Sequence, residues 1–116
     1  MAEKAGEGVK PGGRQFYVVW MSAAAAAPEP SKPSDEIRDA HHDYLAALEA
    51  QGVLFAAGPF RDADGSRPGC GMMILKTRTF AEADAIAARE PYRLHGLRTH
   101  KIMPWQLNEG ALVGMV

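Results

Sequence analysis

Apolar and polar positions along this chain switch between a two-residue and a roughly 3.6-residue period, and each switch marks an element. From Gln15 to Ser22 (QFYVVWMS) β-branched and aromatic residues run unbroken, with Phe16, Val18 and Trp20 on one side of an extended strand and Tyr17, Val19 and Met21 on the other. Between Ser34 and Gly52 the period lengthens. With His41 at zero and about 100° per residue, Ile37, Tyr44, Leu45 and Leu48 fall within about 60° of it, which is the one-sided stripe of a surface helix. Ser34 is placed as its N-cap, Asp35 and Glu36 stand in the first turn where the helix dipole favours acids, and Gly52 is a natural C′ residue.

A second strand is predicted over 53–57, closing on Gly58-Pro59, and Asp64-Gly65 within RDADGSRPG predicts a hairpin loop into a third strand from Cys70 to Thr77. Thr79-Phe80-Ala81-Glu82 has capping-box spacing and opens a second helix that carries Phe80, Ala83, Ile86 and Ala87. That helix ends near Arg89, because Pro91 disfavours helical backbone at Glu90. A fourth strand covers Leu97 to Met103 and runs on to Pro104-Trp105-Gln106-Leu107. Residues 1–14 have almost no large apolar group and read as a flexible tail, 15–107 as the folded domain, and 108–116 as a C-terminal tail with an apolar end. Pro28, Pro30 and Pro33 make 23–33 a long connection rather than a helix.

The order β-α-β-β-α-β predicts an α+β fold of the ferredoxin-like kind, a four-stranded antiparallel sheet with both helices on one face. The first and third strands are nevertheless apolar on both faces, the third with Met72 and Ile74 opposite Met73 and Leu75. An apolar sheet face left in water exceeds what a monomer tolerates, so a second copy is expected over it and the chain is expected to form a homodimer or larger oligomer.

At 116 residues the chain suits one domain. Its formal charge of −1 offers no basic field for nucleic acid, and no apolar run reaches the ~20 residues of a membrane helix. With no hydrophobic signal core at the N-terminus, a cytoplasmic protein is expected. Cys70 stands alone and excludes an intrachain disulfide. No phosphate-binding glycine motif, metal-ligand spacing or Ser-His-acid signature is present, so neither a metal nor a cofactor is expected, and a small molecule is the expected ligand.

His41 is the best candidate for chemistry. It lies on the inward stripe, and a ring buried without a partner costs about 1–3 kcal/mol, so it must hydrogen-bond or line a cavity. A satisfied core histidine is the competing reading. His42 and Asp43 turn towards solvent, and no histidine stands four residues from His41 to pair with it on a metal.

Several separated pieces resemble the YCII-related (YciI-like) family: FYVVWMS, AHHDYLAALEAQGVLFAAGPF, GCGMMILKT, REPY, GLRT and PWQLNEG, together covering about Phe16 to Leu107. The resemblance implies a ferredoxin-like fold of the dimeric α+β barrel type and an active site built on a histidine and an aspartate. It selects His41, three positions ahead of Tyr44. The family's acid stands in an Asp-Pro-aromatic tripeptide, and here that place reads Glu90-Pro91-Tyr92, a departure of one methylene. Gly58, Pro59 and Phe60 match the family's glycine-proline at the end of the second strand, where glycine would let a backbone come close. Together with Tyr92 they are the candidate substrate-binding residues; Arg98 and Trp105 are further candidates for anion or stacking contacts. In the standard layout the start of the first helix and the end of the second point to opposite ends of the subunit, which favours contact through the partner or none; Glu90 of the same or of a neighbouring subunit is expected within hydrogen-bond reach of His41, directly or through one water. The function implied is histidine/carboxylate acid–base catalysis on a small molecule, of isomerase, lactone-converting or dehydrohalogenating type. The alternative is a dimeric ligand-binding or assembly module without turnover.

Overall fold

A computed structural model of the chain describes residues 14–24 and 34–116. Its elements are β1 (Gln15–Ala23), α1 (Asp35–Ala50), β2 (Leu54–Pro59), β3 (Gly71–Leu75), α2 (Phe80–Ala88), α3 (Pro91–Leu94), β4 (Arg98–Gln106) and a terminal 3-10 turn (Ala111–Met115). The four strands form one antiparallel sheet in the order β2-β3-β1-β4. This is the expected ferredoxin-like arrangement. The expectations for 1–13 and for most of the 23–33 connection fall outside the described residues; the Arg14 carbonyl accepts the Leu107 N–H at 2.9 Å.

Strand alternation sends Tyr17, Val19, Met21, Met73 and Leu75 to one side, where Leu48 of α1 and Ala83 and Ala87 of α2 meet them in the core. Truncating a fully enclosed member such as Leu75 to alanine removes ~2–5 kcal/mol, combining lost transfer energy with the cavity left behind. Helix α1 packs as its stripe requires: Leu48 is buried, Ile37, His41, Tyr44 and Leu45 are half-buried, and the remaining positions are exposed. Ser34 Oγ accepts the Ile37 N–H at 3.2 Å, and Gly52 ends the turn at φ +76°. Both capping devices act as the sequence predicts.

The other side of the sheet carries no helix. Val18 and Ile74, Trp20 and Met72, Phe16 and Trp105, and Val18 and Met103 face one another there across strand pairs. Phe16 is enclosed by Phe55 at 4.6 Å and Trp105 at 6.0 Å between ring centroids, whereas Trp20, Met103 and Trp105 stay exposed.

Within the C-terminal tail, 111–115 coil into the 3-10 turn. One expectation is corrected: Glu90 does not trail the second helix. Arg89 caps α2, and Glu90, extended at φ −64° and ψ 132°, is the N-cap of α3, with Pro91 in its first turn. Proline at this position is preorganised for a new helix because its missing N–H is one that a helix start leaves unbonded anyway. The same Pro91 that breaks the second helix therefore starts a third one.

Candidate active site

Helix α3 is short, yet it packs directly against α1 and so carries Glu90 and Tyr92 to His41. His41 Nδ1 and Glu90 Oε2 lie 2.5 Å apart within one chain. Of the two expected sources of the carboxylate, the same subunit supplies it: the turn at Glu90 folds the chain back onto α1, a move that straight helices do not make. Glu90 is the only fully buried charged side chain among the described residues, and its other oxygen, Oε1, accepts the Arg93 N–H at 3.2 Å. A carboxylate out of water must be met by donors, and here each oxygen has one.

A carboxylate only accepts, so Nδ1 carries the proton and donates it to Glu90, which fixes the tautomer and leaves Nε2 as the basic nitrogen. Nε2 has no hydrogen-bond partner among the described residues, and the side chain keeps 19% of its surface exposed. The imidazole is held flat by Tyr92, whose ring stacks on it at 4.1 Å and 10°. Burial raises the Tyr92 phenol above its ordinary range and the nearby Glu90 charge adds to the effect, while Arg98, Arg38 and Arg67 oppose it. Tyr92 is therefore a neutral phenol at neutral pH. Tyr44, one turn from His41, ties α1 to α2 by donating to the Ile86 carbonyl at 2.7 Å, and burial raises its phenol as well.

The sequence candidates at the end of β2 lie elsewhere, whereas Arg98 lies over the Tyr92 ring at 4.9 Å. The Phe60 ring packs tilted against Trp20, 4.5 Å between centroids, on the helix-free side of the sheet and away from α1. Gly58 and Pro59 are exposed in the edge strand β2. The close approach expected at Gly58 falls on Gly71 instead, where an added Cβ would stand 3.1 Å from the Gly58 carbonyl oxygen, while nothing lies within 4 Å of a Cβ on Gly58 itself. An open groove of about 440 Å³ between α1 and β2, lined by residues including His42, Leu45, Glu49 and Phe55, contains neither His41 nor Glu90.

One polar cluster escaped the sequence reading. His100 Nε2 meets Asp84 Oδ1 at 2.8 Å, and Arg93 Nε donates to His100 Nδ1 at 3.1 Å, stitching α2, α3 and β4 together. No spacing signal joins these residues, because each comes from a different element. Among the described residues no group of three or more His, Cys, Asp and Glu is assembled that could hold a metal ion.

Residues 16–106 match the YCII-related domain family. The chain belongs to that family. Among solved structures it is similar to 5-chloro-2-hydroxyhydroquinone dehydrochlorinase (TftG) from Burkholderia phenoliruptrix AC1100, in complex with 2,5-dihydroxybenzoquinone. That similarity has a TM-score of 0.59 at 16% identity, over 82% of this chain and 95% of the other, and it shows a shared fold. A weaker similarity, TM-score 0.46 at 12% identity over 84% and 97% of the two chains, is to SnoaB, a cofactor-independent oxygenase from Streptomyces nogalater. A comparison with curated proteins finds no match. No helix among the described residues is long and apolar enough to cross a membrane.

Proposed function

We propose that this YCII-related domain is a small-molecule enzyme in which His41 transfers the proton and Glu90 orients and charges its ring. The observation that carries this reading is the contact between Nδ1 and the buried carboxylate, which leaves Nε2 basic and unbonded. In the reaction, Nε2 takes a proton from an acidic C–H or O–H, and the released electron pair forms a new C=C or C=O bond. The cycle closes when the proton returns at another carbon, which is isomerisation, or when a leaving group such as chloride departs with its electron pair and Nε2 then passes its proton to solvent. Neither route requires an electron acceptor, so no cofactor is required. A fixed proton-transfer group of this kind contributes ~10²–10⁴-fold.

The dehydrochlorinase with the shared fold suggests the first assay: chloride release from 5-chloro-2-hydroxyhydroquinone and from related acidic phenols and lactones. Turnover that His41→Gln abolishes supports the reading; turnover of any of these that His41→Gln leaves intact overturns it. A second reading has one observation in its favour. Because Glu90 caps α3 while it binds His41 on α1, the pair also clamps two helices together, as a ligand-binding or assembly module without turnover would need.

The aromatic, helix-free sheet face with exposed Trp20, Met103 and Trp105 supports a homodimer or larger assembly. Sedimentation that shows a stable monomer at micromolar concentration removes that part of the proposal.

A further inference from the structure

Resting on the reading of His41 as the proton-transfer group, the geometry points to an organic anion as the substrate, with its ionised oxygen held by Arg98. Arg98 opens β4, and its guanidinium carbon lies 4.9 Å from the centre of the Tyr92 ring, the ring that also stacks on His41 at 4.1 Å. Guanidinium and imidazole are thus separated by no more than those two distances together, the span of a small molecule. The arginine is held in place from two directions: Nη1 donates to the Leu97 carbonyl at 3.1 Å, and the guanidinium lies over the Tyr92 ring.

What the guanidinium lacks is an acid. Among the described residues no carboxylate pairs with it, and of its five N–H donors only that one is bonded. Glu90, the acid nearest the stacked rings, already gives one oxygen to His41 and the other to the Arg93 N–H. Arg38 and Arg67 add positive charge around Tyr92, Arg38 being shared with Asp35 at 2.6 Å. A planar fork of unused donors beside a basic imidazole suits a carboxylate, or an enol or phenol ionised at neutral pH. It would also stabilise the negative charge that grows on such a molecule as Nε2 removes a second proton.

The test uses benzoate and benzamide, equal in shape and different in charge, titrated into the full chain while the His41 imidazole and Tyr92 ring signals are followed by NMR. Benzoate is expected to bind about tenfold or more tightly than benzamide, Arg98→Gln to erase that preference and Arg98→Lys to retain part of it, with circular dichroism unchanged in both variants. Equal binding of the two probes, or a preference that survives in Arg98→Gln, overturns the anion inference and leaves the His41 site standing. If neither probe moves the His41 signals, the site reading fails and this inference fails with it.

Discussion

Among the described residues there are two histidine–carboxylate pairs, and they differ in almost every respect that matters for chemistry. At His41 the acid is buried, the ring is partly open, Nδ1 is bonded and Nε2 is not. At His100 the acid, Asp84, is 54% exposed, and both ring nitrogens are engaged: Nε2 gives its proton to Asp84, and Nδ1 accepts one from Arg93. The tautomers are opposite. A histidine beside an acid is common structural mortar, whereas a histidine whose acid is sealed in and whose other nitrogen is unspent is equipped to move a proton. Burial also separates the two energetically, since an exposed pair like that at Asp84 contributes little net stability.

The largest expected effect breaks the comparison at its centre. His41→Gln should lower turnover by ~10²–10⁴-fold, while His100→Gln should leave turnover per folded molecule unchanged and cost no more than about 1 kcal/mol in thermal or denaturant unfolding, because the pair it breaks is exposed at Asp84. A loss of activity in His100→Gln equal to that in His41→Gln would mean that the leftover nitrogen is not what distinguishes them.

Next comes Glu90→Gln. Its amide oxygen can still cap α3, but an amide NH₂ facing Nδ1 reverses the tautomer and puts the proton on Nε2, where it blocks the base. Nitrogen NMR of the His41 ring should show the switch, with turnover down by about 100-fold.

Glu90→Asp is milder and more instructive. Aspartate is the better N-cap, so α3 should persist, but the shorter side chain withdraws the carboxylate from Nδ1 by more than an ångström, and turnover should fall by about tenfold to 100-fold. Full activity in this variant would show that α1 and α3 close up to restore the contact.

Acylation of histidines by diethyl pyrocarbonate sharpens the contrast without any substrate. Unbonded Nε2 should make His41 react faster than His100, as read by peptide mass spectrometry; the reverse order would refute the assignment of free and engaged nitrogens.

The smallest effect is one of pH. Burial raises the Tyr44 and Tyr92 phenols above the ordinary value of 10.0, so the folded chain holds their protons more tightly than the unfolded one. Their contribution is therefore complete below pH 10 and is lost as pH rises through the folded values. Unfolding midpoints should drop on the alkaline side, and Tyr44→Phe combined with Tyr92→Phe should flatten that slope.

Periodicity, caps and turn residues determined the element order, the inward stripe of α1 and the antiparallel four-stranded sheet, because these depend on neighbours in sequence and on which face each side chain must bury. The same local logic marked His41 as a polar ring in need of a partner, and family resemblance named Glu90 as that partner. What it could not reach was how they meet. Pro91 ends one helix and begins another, and only the packing of α3 on α1 shows that the new helix carries Glu90 and Tyr92 to His41 in the same chain. Gly58, Pro59 and Phe60 went the other way, because strand register and the packing of Phe60 against Trp20 draw Phe60 to the opposite side of the sheet. The Asp84–His100–Arg93 cluster and the seat of Arg98 were equally hidden. Contacts between residues distant in sequence have no period to betray them, and they exist only once the elements have packed.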